Sequence, residues 1–219
     1  MMVDLPKVVA VVASVEEAKE AIALGADVME ARVDLAAEEP QLFLENIDGL
    51  NKPLIVTIRP AWEGGAFKGS DGERALLFKK LMPMADYIDV ELRAKNLDEI
   101  VRLTIGSGAI SIVSYHDFQK TPPQKDMLDI LARCREKGDI AKLAVMPGGP
   151  EDVLALYEAT LKAEKPLCTI AMGAIGMHSR LVAPVYGSIL TYGYVREPVA
   201  PGQMRVDKII EGLRILGLR

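Results

Sequence analysis

Metal-site and disulfide chemistry have almost nothing to work with in this chain. Its 219 residues include two cysteines and two histidines, with no CxxC and no Cys/His ligand spacing. Cys134 lies in a charged stretch of helical character and Cys168 in an apolar strand, so no zinc site or disulfide framework is expected and both thiols are read as reduced. A basic excess is also missing. The 26 Lys and Arg against 31 Asp and Glu leave a net charge of −5, which argues against a nucleic-acid or anionic-membrane partner. An anionic ligand must then be held by local arginines. No apolar run reaches the roughly 18 residues of a spanning helix. The start, Met1-Met2-Val3-Asp4-Leu5-Pro6-Lys7, lacks the ordered regions of a signal peptide. A cytoplasmic protein without a membrane partner is the expectation. Nor is there a Ser/Gly/Pro-rich linker, so residues 1–219 are read as a single domain, long enough for one sizeable core.

What is present is alternation. Short apolar, β-branched runs at 8–14, 28–35, 54–59, 87–93, 109–116, 140–146, 167–172 and 188–195 read as strands. Segments of helical period at 15–24, 72–82, 97–105, 125–137, 150–163 and 203–216 lie between them. Repeated strand–helix units predict an α/β fold with a parallel sheet, and eight of them fit a TIM barrel. An open doubly wound sheet is the rival, and it predicts strands apolar on both faces.

The strands decide between the two. Glu30, Arg32 and Asp34 share one face of the second strand, while Met29, Ala31, Val33 and Leu35 share the other. Asp89, Glu91 and Arg93 oppose Ile88, Val90 and Leu92 in the same way, as Thr57 and Arg59 oppose Val56 and Ile58. Helices cover the outside of a barrel, so the charges must point inward. Glu30, Asp34, Asp89 and Glu91 then face Arg32, Arg59, Arg93 and Lys142, a balance that lets buried charges pair. Asp89 and Arg93 are the members most expected to be purely structural.

Lys142 stands out, an amine inside the apolar run Ile140-Ala141-Lys142-Leu143-Ala144-Val145-Met146. Lysine is rarely buried without a reason. Aliphatic neighbours are expected to disfavour its ammonium and leave a nucleophile able to condense with a carbonyl. His116 ends the preceding strand and titrates in the right range for proton transfer at neutral pH. Together they suggest imine chemistry with general acid–base help. His178, in Gly173-Ala174-Ile175-Gly176-Met177-His178-Ser179-Arg180, reads as a loop or helix-start residue. That segment is no nucleotide-binding fingerprint, and Arg180 behind it suits a carboxylate.

These pieces, in order, resemble the type I 3-dehydroquinate dehydratases, which work through a Schiff base in the shikimate pathway. The resemblance spans the chain. It rests on Glu30-Ala31-Arg32-Val33-Asp34, on Thr57-Ile58-Arg59 with Glu63-Gly64-Gly65, and on Ser114-Tyr115-His116-Asp117. Lys142, Met172-Gly173 through Ser179-Arg180, and Ala200-Pro201-Gly202-Gln203 complete it. It implies that Lys142 forms the imine, that His116 moves the protons, and that Glu63 orients His116. Glu30, Arg32 and Arg59 would hold substrate hydroxyls, and Arg180 and Gln203 the carboxylate end. It also implies 3-dehydroquinate as substrate, a homodimer, and no metal or organic cofactor, since a protonated imine is itself an electron sink. Where many members have a serine before Ala-Pro-Gly-Gln this chain has Val199, which removes a hydroxyl from the loop at 196–203, expected to act as a lid. Trp62 is expected to pack under its loop. Another lysine-imine lyase or an aldolase is the nearest alternative, but a sugar-phosphate aldolase would want a phosphate cup at the last two strands. A non-catalytic acid-binding barrel would need neither the lysine nor the histidine.

Overall fold

The computed structural model describes residues 5–219. Its strands are β1 (Lys7–Val12), β2 (Val28–Arg32), β3 (Leu54–Thr57), β4 (Tyr87–Glu91), β5 (Ile110–Asp117), β6 (Ile140–Val145), β7 (Leu167–Ala171), β8 (Leu190–Tyr194) and β9 (Met204–Arg205). All pair in parallel, in the order β7-β6-β5-β4-β3-β2-β1-β8-β9. The sheet curls until β7 meets the start of β8 through a Leu167–Ser188 bridge, where Ile189 N–H donates to the Leu167 carbonyl at 2.9 Å. This is the predicted α/β barrel, with one strand more than expected.

Helices fill the crossovers: α1 (Val15–Ala23), α2 (Pro40–Asp48), α3 (Asp71–Leu81), α4 (Leu97–Ser107), α5 (Gln124–Lys137), α6 (Pro150–Lys162) and α9 (Val206–Ile215). Between β7 and β8 run two short ones, α7 (Gly173–Gly176) and α8 (Ser179–Val182), followed by a 3-10 turn at Ala183–Tyr186. Two expectations are corrected here. Residues 40–48 form a helix absent from the predicted set. The last helix starts at Val206 rather than at residue 203, because Met204 and Arg205 are drawn into the sheet beside Gly193 and Tyr194.

Strand alternation sorts the side chains into two cores. Val8, Ala10 and Val12 pack outward in the same cluster as Phe43, Phe78 and Leu156 of the helices. Val9 and Val11 belong to a separate inner cluster with Ile55, Ile112, Ile140 and Leu190. Each such fully buried aliphatic side chain contributes roughly 1.5–3 kcal/mol. Above the inner floor the same parity continues with Glu30, Thr57, Asp89, Ser114 and Lys142, all buried.

Of the eight charges expected in the lumen, six keep that place, Arg59 by reaching back from two residues past β3 to Asp89 and Glu91. Asp34 and Arg93, equally far past β2 and β4, pair instead with Arg32 and Glu63. A cation not foreseen enters from outside: Arg74, on α3, is buried and donates to Glu91 and to the Ile58 carbonyl. A capping box fixes the start of α3, with Ser70 Oγ accepting from Glu73 N–H and Glu73 Oε2 accepting from Ser70 N–H. Such a cap contributes about 1 kcal/mol and sets where Arg74 emerges.

Candidate active site

The C-terminal ends of the strands surround a cavity that is open at its mouth. All eight residues proposed from the sequence line it: Glu30, Arg32, Arg59, Glu63, His116, Lys142, Arg180 and Gln203.

Lys142 is 4% exposed, but the expected aliphatic surroundings are wrong. Its Nζ donates to Asp89 Oδ2 at 2.8 Å, lies 3.6 Å from Glu30 Oε1, and sits 4.0 Å from the centre of the Tyr192 ring. The strand does put aliphatic residues on either side of Lys142 in sequence. Its side chain points the other way, into the lumen, where partners from β2, β4 and β8 converge. Asp89, expected to be a structural member of the lumen, is thus the direct partner of the Lys142 amine. It also accepts from Arg59 Nη2 and from Ser114 Oγ, both at 2.7 Å. Burial raises its carboxyl, but the Arg59 and Lys142 cations outweigh that and hold it well below the usual carboxylate range.

Arg59 spends its guanidinium on this frame. Nη1 donates to Glu91 at 2.6 Å and to Ser114 Oγ at 2.9 Å, and Nη2 goes to Asp89. Arg32 is held by Asp34 through two bonds, Nε at 2.9 Å and Nη2 at 2.7 Å, which leave Nη1 uncommitted at the cavity wall. Burial opposes ionisation of Asp34, but Arg32 overrides it and the carboxyl lies below its ordinary value. Glu30 accepts from Thr57 Oγ1 at 2.9 Å.

His116 lies on β5, next to β6, with Ser114 opposite Lys142 and His116 opposite Ala144. Its imidazole is thus one step nearer the mouth than the amine. Glu63 comes from a 3-10 turn at Ala61–Glu63 and is almost fully buried. Gly65 closes that turn because a Cβ there would fall 2.0 Å from the Arg59 carbonyl oxygen. Glu63 Oε1 meets His116 Nδ1 at 3.0 Å and the His116 N–H at 2.9 Å, while Oε2 accepts Arg93 Nε at 3.0 Å and Nη2 at 2.9 Å. An ionised carboxylate satisfies all four contacts. The imidazole then carries its proton on Nδ1 and keeps Nε2 as a lone pair. Burial pushes the Glu63 carboxyl up to about 7 against the pull of Arg59 and Arg93. Burial, then the Arg59 and Lys142 cations, keep His116 well below its ordinary value and so uncharged, with Asp89 opposing. Arg93, expected to be purely structural, is the direct partner of Glu63.

Arg180 is buried, and among the described residues no acid lies within 4 Å of it. Its Nε has no partner, and burial brings its guanidinium down to about 10. A desolvated cation left unpaired at a cavity wall is a seat for an anion. Gln203 uses its side-chain oxygen internally, accepting from Val199 N–H at 2.7 Å and Ala200 N–H at 3.2 Å, so only its amide donors remain for a ligand. The loop rests on α7, because Gly173 N–H donates to the Pro201 carbonyl at 3.1 Å. Gly202 has φ +69° there, and a Cβ would strike the Gly173 oxygen at 2.1 Å. Val199 puts an apolar group at this edge of the cavity.

Trp62 stays outside the cavity, half exposed, with the Arg93 guanidinium 5.8 Å from its ring centre. His178 is the residue preceding α8, as the sequence suggested, edge-on to Tyr157 at 5.9 Å. Tyr192 and Arg74 were not foreseen. Tyr192 shares β8 parity with Leu190, and Arg74 sits on the apolar face of α3 with Phe78 and Leu81. In each case a polar group on a buried stripe was the available signal. Among the described residues no group of three or more His, Cys, Asp or Glu is placed to hold a metal ion, and no helix is long and apolar enough to cross a membrane.

Comparison with known proteins adds a family. The sequence matches the family described as Type I 3-dehydroquinase over residues 7–219. A 3-dehydroquinate dehydratase of Methanocella arvoryzae is 62% identical over 215 residues, 98% of each chain. The solved 3-dehydroquinate dehydratase of Geobacillus kaustophilus HTA426 superposes with a TM-score of 0.92 at 29% identity, covering 97% of this chain and 91% of that one. The type I enzyme of Clostridium difficile, solved with covalent modified comenic acid, gives 0.90 at 32% identity, covering 97% and 92%.

Proposed function

The chain belongs to the type I 3-dehydroquinase family, and from that premise we propose that its reaction, the dehydration of 3-dehydroquinate to 3-dehydroshikimate, runs through a Schiff base on Lys142. One observation carries the mechanism. A buried lysine amine is held between Asp89 and Glu30 in a cavity wall, with a neutral histidine beside it on the next strand.

The substrate carboxylate takes the unpaired Arg180 and an amide donor of Gln203, and Arg32 Nη1 reaches a ring hydroxyl. Lys142 Nζ attacks the ketone carbon, and water leaves to give a protonated imine. Asp89 fixes the amine for this step. The imine withdraws electrons from the adjacent C2–H, and His116 Nε2 takes that proton. The electron pair then expels the C1 hydroxyl, which His116 protonates as water leaves. A second water hydrolyses the imine, releasing product and free lysine. One water is lost overall. Positioned proton transfer of this kind contributes roughly 10²–10⁴ in rate. The covalent modified comenic acid of the Clostridium difficile relative supports covalent chemistry in this fold.

The reading also takes the chain as one catalytic domain, homodimeric and cytoplasmic. The two unpaired, buried cysteines support the last point. Its test is the ultraviolet absorbance of the conjugated enone product. Wild-type protein should form it from 3-dehydroquinate, and Lys142→Ala should form none above background. Turnover by Lys142→Ala would overturn the mechanism.

A further inference from the structure

Arg93 stands outside the groups that the mechanism uses, yet its placement is too well defined for a surface ion pair. Its guanidinium lies 4.7 Å from the centre of the Tyr115 ring and 5.8 Å from that of Trp62. Nε and Nη2 both donate to Glu63 Oε2, and Nη2 also reaches the His116 carbonyl at 3.2 Å. Three chain segments therefore meet on one side chain: the end of β4, the 3-10 turn and the end of β5. The guanidinium is nearly half exposed, whereas the Glu63 carboxylate it contacts is fully buried. An exposed arginine is ordinarily free to leave such a pair, since solvent screens the attraction. Two aromatic faces restrict that freedom through cation–π contact.

Resting on the Schiff-base reading above, we infer that Arg93, held by Trp62 and Tyr115, is the positioning residue that keeps Glu63 ionised and aimed at His116 Nδ1, and so sets the lower pH boundary of activity. The charged groups around the pair divide clearly. Arg59 and Arg93 favour the ionised Glu63, while burial and Glu91 oppose it. His116 faces Arg59, Lys142 and Arg32 as cations and Asp89 as an anion, in addition to Glu63. Of the two cations favouring Glu63, Arg59 is committed to Asp89 and Glu91. Arg93 alone bonds Glu63 directly.

The sign follows. If Arg93 is lost, Glu63 holds its proton to higher pH. A protonated Glu63 can donate its O–H to Nδ1 instead of accepting from it, so His116 is no longer held in the tautomer that leaves Nε2 free. The deficit appears at low pH and fades once Glu63 ionises anyway. The experiment is the pH profile of kcat/KM from pH 5 to 9.5 for wild type, Arg93→Gln, Arg93→Lys and Trp62→Leu, with circular dichroism melts to verify folding. Arg93→Gln should move the acid limb up by about 0.5–1 pH, a loss of roughly three- to tenfold at pH 6, and stay within about threefold of wild type above pH 8.5. Arg93→Lys should recover part of the displacement, having charge but no fork. Trp62→Leu, which keeps every charge, should move the limb the same way by less. If Arg93→Gln does not fold, the other two variants decide. An equal loss at every pH, or an unmoved limb, overturns the inference. Reduction by borohydride in the presence of 3-dehydroquinate separates the two levels. A wild type that neither dehydrates nor traps removes the Schiff-base reading, whereas one that does both beside unmoved variant profiles removes only the role of Arg93.

Discussion

Replacing Glu63 with Gln probes the buried proton balance next to His116, and stability reads it independently of turnover. In the folded chain burial places the Glu63 carboxyl at about 7, against an ordinary value of 4.5. Between those two values the native state therefore holds a proton on Glu63 that the unfolded chain has lost, and above about 7 both have lost it. A raised carboxyl contributes stability that is fully present below the unfolded value and disappears as pH rises through the folded one. The difference between about 7 and 4.5 corresponds to about 3 kcal/mol. His116 works with the opposite sign. Its folded value is lowered, so its contribution is lost as pH falls below the ordinary value of 6.5. In wild type the two slopes offset each other around pH 5–6.5, and a plain melting curve against pH conceals both. Urea unfolding at steps from pH 4.5 to 8, taken as wild type minus variant, cancels the groups that do not touch this pair. Against Glu63→Gln, the wild-type unfolding free energy should fall by about 3 kcal/mol across that range. Against His116→Asn, it should rise with pH below 6.5. A flat or rising difference for Glu63→Gln would refute the assigned burial and charge balance.

Three further outcomes follow from the site. Asp89→Asn removes the anion shared by Lys142 and Arg59; breaking a buried pair in this way should cost about 3–5 kcal/mol, seen in chemical denaturation, and misplacing the amine should cost on the order of 10² in kcat. Arg180→Met deletes a buried cation that has no partner in the free protein, so it should raise the melting temperature while increasing KM by roughly 10- to 100-fold, the worth of a charge-assisted bond; unchanged KM would remove Arg180 from ligand binding. Gln203→Leu releases the Val199 and Ala200 amides, so limited proteolysis within 196–203 should quicken in the free protein, and 3-dehydroquinate should slow cutting of wild type but not of the variant.

The barrel was legible because its strands carry two chemistries on two faces. Glu30 and Arg32, Thr57 and Arg59, and Asp89 and Glu91 each keep one parity, and the structure points them inward as that parity requires. The eight proposed site residues line one cavity. Strand parity, the lysine inside an apolar run and the histidine ending a strand made most of the inner ones legible. Glu63, on a turn six residues past β3, was reached only through the family resemblance. The setting of Lys142 was not legible. Asp89 and Glu30 are 53 and 112 positions away in the chain, and only closure of the barrel brings them to its amine. The contact of Arg93 with Glu63 was hidden for a related reason. Arg93 lies beyond its strand, and its partner Glu63 is aimed by a turn whose path depends on Gly64 and Gly65 rather than on any periodicity. The helix at 40–48 escaped notice because Pro40 opens it and polar residues dominate its end. A two-residue strand such as β9 leaves no pattern to read.

The mechanism stands on a covalent bond between the Lys142 amine and the substrate ketone. That bond is captured by incubating the protein with 3-dehydroquinate, reducing with borohydride and mapping peptides by mass spectrometry. The adduct should appear on the peptide containing Lys142, with loss of turnover in proportion to labelling. Labelling at another lysine, or full turnover with no reducible adduct, would contradict it.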